Sequence, residues 1–438
     1  MNEYAVPCIY QNKKNNLDPI IVSVPGSKSI TNRAMLLAAM AHGESTLKGV
    51  LFSDDSRHFL NCIESLGFQT RIDEANKVLH IIGEGGRIPK DNASIYVGSA
   101  GTAARFLTAY LGVSKGSYYL DASAQMRARP MAPLLQSLTD LGCKITYAKE
   151  EGHFPFTLHS NGFQQNHISV NIDNSSQFLS ALMITSVLSE SGLSLSLTGS
   201  HGMSYVHMTQ KMMEQFGISI LQQEPDLFVI EPGQHVTPLS YQIEPDVSAA
   251  CYFYALVPLL NIPVLVSHVT SDSLQGDIAF LHILTKMGCS LEETPDGILL
   301  SPPESGIYEG VDVNMSSCSD QAITLAAIAP FAKSKTVIRG IGHIRFQECN
   351  RLFGIVNNLR NMGICCEETE DSITIYPGMP KAASLDTYDD HRMAMGFTLT
   401  GLRSQKIIIK DPGCCRKTFE NYFQVMESVI GKIQGKTS

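Results

Sequence analysis

Apolar positions along this chain recur with a helical period in short runs, and each run stops at a glycine followed at once by a strand-like stretch. The runs are FLNCIESLG ending at Gly67, LLQSLTDLG at Gly142, KMMEQFG at Gly217, LHILTKMG at Gly288, VNNLRNMG at Gly363 and a weaker VMESVIG at Gly431, so successive glycines stand 75, 75, 71, 75 and 68 residues apart. A glycine just past an amphipathic run is the expected C-terminal signal of a helix, because left-handed backbone costs it little. After most of these glycines come two short strands, as in CKITYA then FTLHS, or SLEET then GILLSP, a pattern that predicts hairpins.

A second helix with a polar start precedes each run. These starts read SKSITNRAMLLAAMA, SAGTAARFLTAYLG, SSQFLSALMITSV, DVSAACYFYALVPLL, SDQAITLAAIAPFA and DDHRMAMGFTLTGL. Each opens with Ser or Asp, whose side chains are expected to satisfy the unpaired N–H groups of a first turn. The repeating unit is therefore helix–strand–helix–strand–strand, or βαβαββ when phased from a strand, and it occurs six times. The sixth copy runs out of chain soon after Gly431. Two N-terminal stretches, YAVPCIY and PIIVSVPG, are available to replace its closing strands, so residues 1 to about 25 are expected to complete the last unit. Six units in two groups of three predict a discontinuous domain, 1–27 plus 244–438, and a continuous one, 28–243.

Composition narrows the class. The chain has 438 residues, 44% hydrophobic and 17% charged, with a net charge of −9. It is too long for one core, and too acidic for a general nucleic-acid binder. Residues 247–266 are apolar enough to suggest a membrane span, but Pro258, Asn261 and Pro263 interrupt them; a buried helix followed by a buried strand fits better. Residues 1–10 carry Glu3 and no basic stretch ahead of an apolar run, so no signal peptide is expected. The 11 cysteines form no Cys-x-x-Cys pair, and free thiols in a reducing cytoplasm are the simplest reading. No His-x-x-x-His pair is present, and no metal is expected.

Six polar helix starts have a shared chemical consequence. If they face a common cleft, their N–H groups and dipoles attract phosphates and carboxylates. Lys28, Arg33, Arg105, Arg129, Arg345, Arg351, Arg392 and Lys417 all lie beside these starts. Any one of them alone is most simply a surface charge; eight beside repeat starts point to an anionic ligand.

The residues then reach a resemblance. VPGSKSITNRAMLLAAMAHGESTLKGVLFSDDSRHFLNCIESLG resembles the N-terminal signature of the 5-enolpyruvylshikimate-3-phosphate synthase family. GSAGTAARFLTAYL, MRARPMAPLLQSLTDLGCKI, SSQFLSALM, RFQECNRLFGIV, TYDDHRMAMGFTL and DPGCCRKTFENYF are similar to that family's further motifs, in its order, and cover nearly the whole chain. The resemblance implies an α/β (α+β) chain with the two-domain enolpyruvyl transferase fold, an inside-out α/β barrel of six βαβαββ units, three per domain, and an active site in the interdomain cleft. It implies transfer of the carboxyvinyl group of phosphoenolpyruvate to the 5-hydroxyl of shikimate 3-phosphate through a tetrahedral intermediate, with release of phosphate. No cofactor is needed. The partners are these two small molecules, with no nucleic acid or membrane, and a cytoplasmic monomer is expected.

The same resemblance places shikimate 3-phosphate on Lys28, Ser29, Arg33, Ser175, Ser176, Gln177, Tyr205, Asp320 and Gln347. Phosphoenolpyruvate falls to Lys28, Gly101, Thr102, Arg129, Gln177, Arg351, Arg392 and Lys417. Asp320 is expected to be the general base for the 5-hydroxyl, and Glu348 or Lys28 the proton donor to C3. Asp320 also suits a helix N-cap, and His391 suits either a ligand contact or a structural role. Departures from the family pattern are Gln347 for a common Lys, Asn350 for a common Asp, Ser99 for Asn and Phe106 for Pro; the stretch around Tyr205 is one residue short. Two other readings remain at this point. A UDP-N-acetylglucosamine enolpyruvyl transferase would carry Lys-Asn where Lys28–Ser29 stands and a reactive loop cysteine. A catalytically impaired, ligand-binding relative draws weight from Gln347 and Asn350.

Overall fold

The computed structural model of the chain describes residues 2–10, 18–173, 175–199 and 202–435. The chain divides into two compact units, Met1–Pro25 with Glu244–Ser438, and Gly26–Ile243. It crosses from one to the other after Pro25 and again after Ile243.

Within the Gly26–Ile243 unit, three four-stranded sheets repeat one topology. In one of them, Asn92–Tyr96 lies at the edge and pairs parallel with Lys115–Asp121, which pairs antiparallel with Phe156–Asn161, which in turn meets Lys144–Tyr147. The parallel pair is joined by the helix Gly101–Val113, and the second helix, Ala132–Asp140, leads into the hairpin. Gly142, at φ +103°, ends that second helix, and Leu135 and Leu138 on its inner face are fully buried. At roughly 25 cal/mol per Å² of apolar surface, each such leucine contributes about 2 kcal/mol.

The first helix of each repeat is of another kind. Every one of the 13 residues of Gly101–Val113 is buried, and Lys28–Met40 is exposed only partly at Lys28 and Ser29. Helices buried on all sides are interior helices. In this unit Lys28–Met40, Gly101–Val113, Gln177–Ser186 and Met203–Gln215 pack on one another, with the sheets outside them. Polar side chains on such helices must bond inside the protein or serve a site.

Among the described residues, the other unit holds two four-stranded sheets and one of three strands, Glu3–Ala5, Ile407–Lys410 and Ala383–Leu385. Glu3–Ala5 pairs antiparallel with Ile407–Lys410 and so closes the sixth repeat. Ile20–Val22 does not join it. That strand pairs parallel with Val264–Ser267, in the fourth repeat, which corrects the expectation that both N-terminal strands complete the last unit. Its counterpart is Ser240–Gln242, which pairs parallel with His42–Lys48 in the first repeat. Each strand that precedes a crossing thus fills the edge position left open by the crossing itself. Residues 11–17, part of the same expectation, lie outside the described residues.

Five of the six glycine signals end their helices: Gly67, Gly142, Gly217, Gly288 and Gly363 all have φ between +75° and +109°. Gly431 does not. It lies inside the helix Tyr422–Ile433, and Gly435, at φ +68°, takes the terminal role instead. The apolar stretch at 247–266 forms two buried helices, Val247–Tyr254 and Leu256–Leu260, and the strand Val264–Ser267. The helix divides just before Pro258, which has no N–H to donate and clashes with the preceding turn. Among the described residues no helix is long and apolar enough to cross a membrane.

Candidate active site

The helix starts differ from the sequence expectation in a way that shapes the site. Among the described residues, the N-cap side chains that accept a first-turn N–H at these six starts are those of Asp246 and Asp390, bonded by Ala249 and Arg392. The helices Lys28–Met40 and Gly101–Val113 begin with no side-chain cap, so their first N–H groups remain suited to an anion. At the third start the Ser175 hydroxyl accepts Gln177 N–H at 3.3 Å.

In the Gly26–Ile243 unit these starts converge. A Cβ placed on Gly101 would lie 3.0 Å from Nη1 of both Arg105 and Arg129 and 3.3 Å from Gln177 Oε1, so two guanidinium groups and an amide surround a backbone that only glycine leaves open. Gln177 Oε1 and Arg129 Nε are buried and have no hydrogen-bond partner among the described residues. Asn32 Nδ2 donates to Thr102 Oγ1 at 2.5 Å and ties two starts together. Lys28 Nζ lies 3.3 Å from Asp55 Oδ2.

Arg33 behaves differently from a ligand-facing cation. Its guanidinium, 1% exposed, donates to Ser29 O at 3.0 Å, Thr209 Oγ1 at 2.8 Å, Tyr205 O at 3.4 Å and Ser180 Oγ at 3.5 Å. Burial lowers its pKa to about 10. Arg33 thus connects the first, third and fourth of the packed helices. Its guanidinium carbon lies 5.1 Å from the centroid of the Phe106 ring, so the aromatic residue at this unusual position contacts a cation. Ser176, 5% exposed, faces Gly202: a Cβ there would come within 2.6 Å of its hydroxyl.

In the other unit the predicted cations also gather, but carboxylates match them. Arg351 Nη1 donates to Asp320 at 2.7 Å, Nη2 to Glu348 at 2.5 Å and Nε to Asp390 at 2.8 Å. Arg392 Nη2 donates to the other oxygen of Asp320 at 2.9 Å, and Lys417 Nζ lies 3.8 Å from Glu348 Oε1. Burial works against the charge of Arg351, yet Asp390, Glu348 and Asp320 outweigh it and hold its pKa well above the ordinary value. Asp320 caps no helix: the Ser319–Gln321 turn that carries it has Cys318 at its cap position, without a side-chain bond. The Asp320 side chain is 15% exposed and that of Glu348 10%, whereas Asp390 is sealed. Asp320 and Glu348 are therefore the two carboxylates of the cluster that a ligand can reach.

Arg345 stands apart from this cluster, paired with Glu368 and with the carbonyls of Thr369 and Glu370. Gln347 is half-buried next to Glu348. Asn350 serves as a cap, its Oδ1 accepting Phe353 N–H at 3.0 Å at the start of the helix Arg351–Asn361. Asn and Asp cap helices about equally well, so this departure from the family pattern leaves the local structure intact. His391 is enclosed, with Nδ1 3.8 Å from Asp390 Oδ1.

Residue-by-residue reading overlooked Asn32, Asp55, Asp390 and Asp277. The first three lie inside motifs already singled out, SKSITNR, SDDS and TYDDHR, where the cations drew attention and the polar side chains around them did not.

The chain matches the family model described as EPSP synthase (3-phosphoshikimate 1-carboxyvinyltransferase) over residues 12–426. The 3-phosphoshikimate 1-carboxyvinyltransferase of Trichormus variabilis is 40% identical over 433 residues, spanning 99% of this chain and 100% of that protein. That of a Nostoc species is 40% identical over 424 residues, 97% of this chain and 98% of that one. The solved structure of EPSP synthase from Acinetobacter baumannii superposes with a TM-score of 0.80 at 22% identity and covers 98% of each chain.

Proposed function

From the premise that the chain belongs to the EPSP synthase family, we propose that it transfers the carboxyvinyl group of phosphoenolpyruvate to the 5-hydroxyl of shikimate 3-phosphate and releases phosphate. The observation that carries the mechanism is Asp320, a carboxylate reachable from solvent and held at 2.7 and 2.9 Å by Arg351 and Arg392.

Asp320 accepts the proton of the 5-hydroxyl as its oxygen attacks C2. Two guanidinium groups stabilise the ionised carboxylate before the step and orient it. Glu348 or Lys28 delivers a proton to C3, completing the tetrahedral intermediate. The C2–O bond to phosphate then breaks, the proton on C3 is lost again, and the carboxyvinyl ether remains. Arg351, Arg392 and Lys417 receive the carboxylate and departing phosphate of phosphoenolpyruvate, where fixed cations lower the barrier to charge development. Gly101, Thr102, Arg129 and Gln177 are also assigned to phosphoenolpyruvate, through the uncapped N–H groups of a helix start and a guanidinium fork. Lys28, Ser29, Ser175, Ser176, Gln177, Tyr205 and Gln347 hold shikimate 3-phosphate, the serine hydroxyls on its phosphate. Arg33 acts there by fixing Ser29 and Tyr205 rather than by a bare charge.

Purified protein given both substrates should release phosphate and form a carboxyvinyl ether of shikimate 3-phosphate. Phosphate release with UDP-N-acetylglucosamine in place of shikimate 3-phosphate would favour the sister activity, and no release with either acceptor would leave a binding protein.

A further inference from the structure

One buried carboxylate beside the cluster takes part in none of these steps. Asp277 lies in the short turn Gly276–Ile278 and is 5% exposed. Its Oδ2 accepts the hydroxyl of Ser248, on the first turn of the helix Val247–Tyr254, and Gln321 Nε2 at 3.2 Å. Ser248 Oγ accepts in turn from Arg392 Nη2 at 3.4 Å. Gln321 directly follows Asp320, and its Oε1 is fixed by the Thr324 hydroxyl at 2.9 Å. A single carboxylate is therefore linked through one side chain to each member of the Asp320–Arg392 pair.

The type of residue matters. An ionised carboxylate only accepts, so Ser248 must spend its one hydrogen on Asp277 and turn its lone pairs to Arg392. An amide at the same place also donates, which frees the hydroxyl to rotate and removes the fixed acceptor in front of the guanidinium. We propose that Asp277 is a positioning residue for the carboxyvinyl transfer, aligning Arg392 through Ser248 and the Asp320 turn through Gln321. This role rests on the assignment of Arg392 and Asp320 above.

Charged and titratable groups facing Asp277 are Asp320 and Arg392, with the buried thiols of Cys251 and Cys318. Cys251 donates to the Asp277 carbonyl at 3.7 Å, and Asp246 lies beyond it, acting on the same thiol. Burial and the charge of Asp320 push the Asp277 carboxyl up to about 6, against the pull of Arg392 and the two hydrogen bonds. The acceptor-only form is thus converted to a donor in mildly acid solution.

The test is kcat and KM for phosphoenolpyruvate across about pH 5 to 9 in the wild type, Asp277→Asn, Ser248→Ala and the double variant. Asp277→Asn should lower kcat/KM about tenfold at pH 7.5 and lose the decline near pH 6 that is expected of the wild type. Ser248→Ala should lower it in the same direction, and the double variant should fall no further than the worse single one, since both act along one link. An Asp277→Asn profile that superimposes on the wild type, or losses that simply add, would overturn the role. Ser248→Ala keeps the carboxylate and reads the same link if Asp277→Asn does not fold; unchanged kcat/KM in it overturns the link. A wild type that releases no phosphate overturns the functional assignment together with this role, whereas an active wild type with unaltered variants overturns this role alone.

Discussion

Arg351 Nε lies 2.8 Å from Asp390 Oδ2, with the two side chains 2% and 0% exposed. The remaining nitrogens of the same guanidinium hold Asp320 and Glu348, so one arginine bridges three carboxylates. Removing it strands Asp390 in the interior, at a cost of about 3–5 kcal/mol. Arg351→Leu should lower the stability measured by urea unfolding by about that amount. Arg351→Lys, with a point charge in place of a fork, should lose an intermediate amount. Unfolding midpoints that match the wild type in both variants would contradict this role for the cluster.

Gly101 offers a test confined to the other unit. The methyl of Gly101→Ala meets the ends of Arg105, Arg129 and Gln177 at 3.0 to 3.3 Å. Flexible side-chain ends can move aside, so stability should stay within about 0.5 kcal/mol. The displaced guanidinium groups should raise KM for phosphoenolpyruvate at least about tenfold. An unchanged KM would remove this start from the phosphoenolpyruvate contacts.

Asn350 departs from the family pattern without consequence if its work is the cap on Phe353 N–H. Asn350→Asp should leave both thermal stability and turnover as they are, while Asn350→Ala should cost about 1 kcal/mol of stability. A gain in turnover on restoring Asp would mean that the residue has a second role, in the reaction itself.

Asp277 also makes stability depend on pH. Its carboxyl titrates at about 6 in the folded protein, above the ordinary 3.8. The folded state therefore holds the proton more tightly, and the stability so gained is fully present below pH 3.8 and lost as pH rises through about 6. At pH 7.5 the ionised carboxylate is a net cost, on the order of 1 kcal/mol or more. Asp277→Asn should then be more stable than the wild type at pH 7.5, with the gain shrinking as pH falls from about 6 towards 4. A variant less stable at every pH would contradict the shift.

Much of this was readable from the chain because the information is local. A helix run closed by glycine needs only its own residues, and five such glycines take the left-handed backbone expected of them. Gly431 shows the limit: Lys432 and Ile433 continue the helix, and the weaker run gave no reason to stop there. Strand partners are not local, and nothing in the alternation of PIIVSVPG distinguishes the fourth sheet from the sixth. The cations were visible because they stand next to helix starts. Their balance was not, since Asp277, Ser248, Gln321 and Arg392 come from four separate segments and meet only in the packed unit. Capping was overestimated for a related reason: Ser27 has the right side chain but makes no cap bond, leaving N–H groups that a ligand can use.

The most direct measurement is steady-state phosphate release from phosphoenolpyruvate and shikimate 3-phosphate, compared between the wild type and Asp320→Asn, with shikimate 3-phosphate binding followed by calorimetry. The neutral isostere keeps the shape of the base but not its proton affinity. The wild type should release phosphate only when both substrates are present, and Asp320→Asn should bind shikimate 3-phosphate while turning over about 10²- to 10⁴-fold more slowly. Phosphate release by Asp320→Asn at the wild-type rate, or no release by the wild type, would contradict the account.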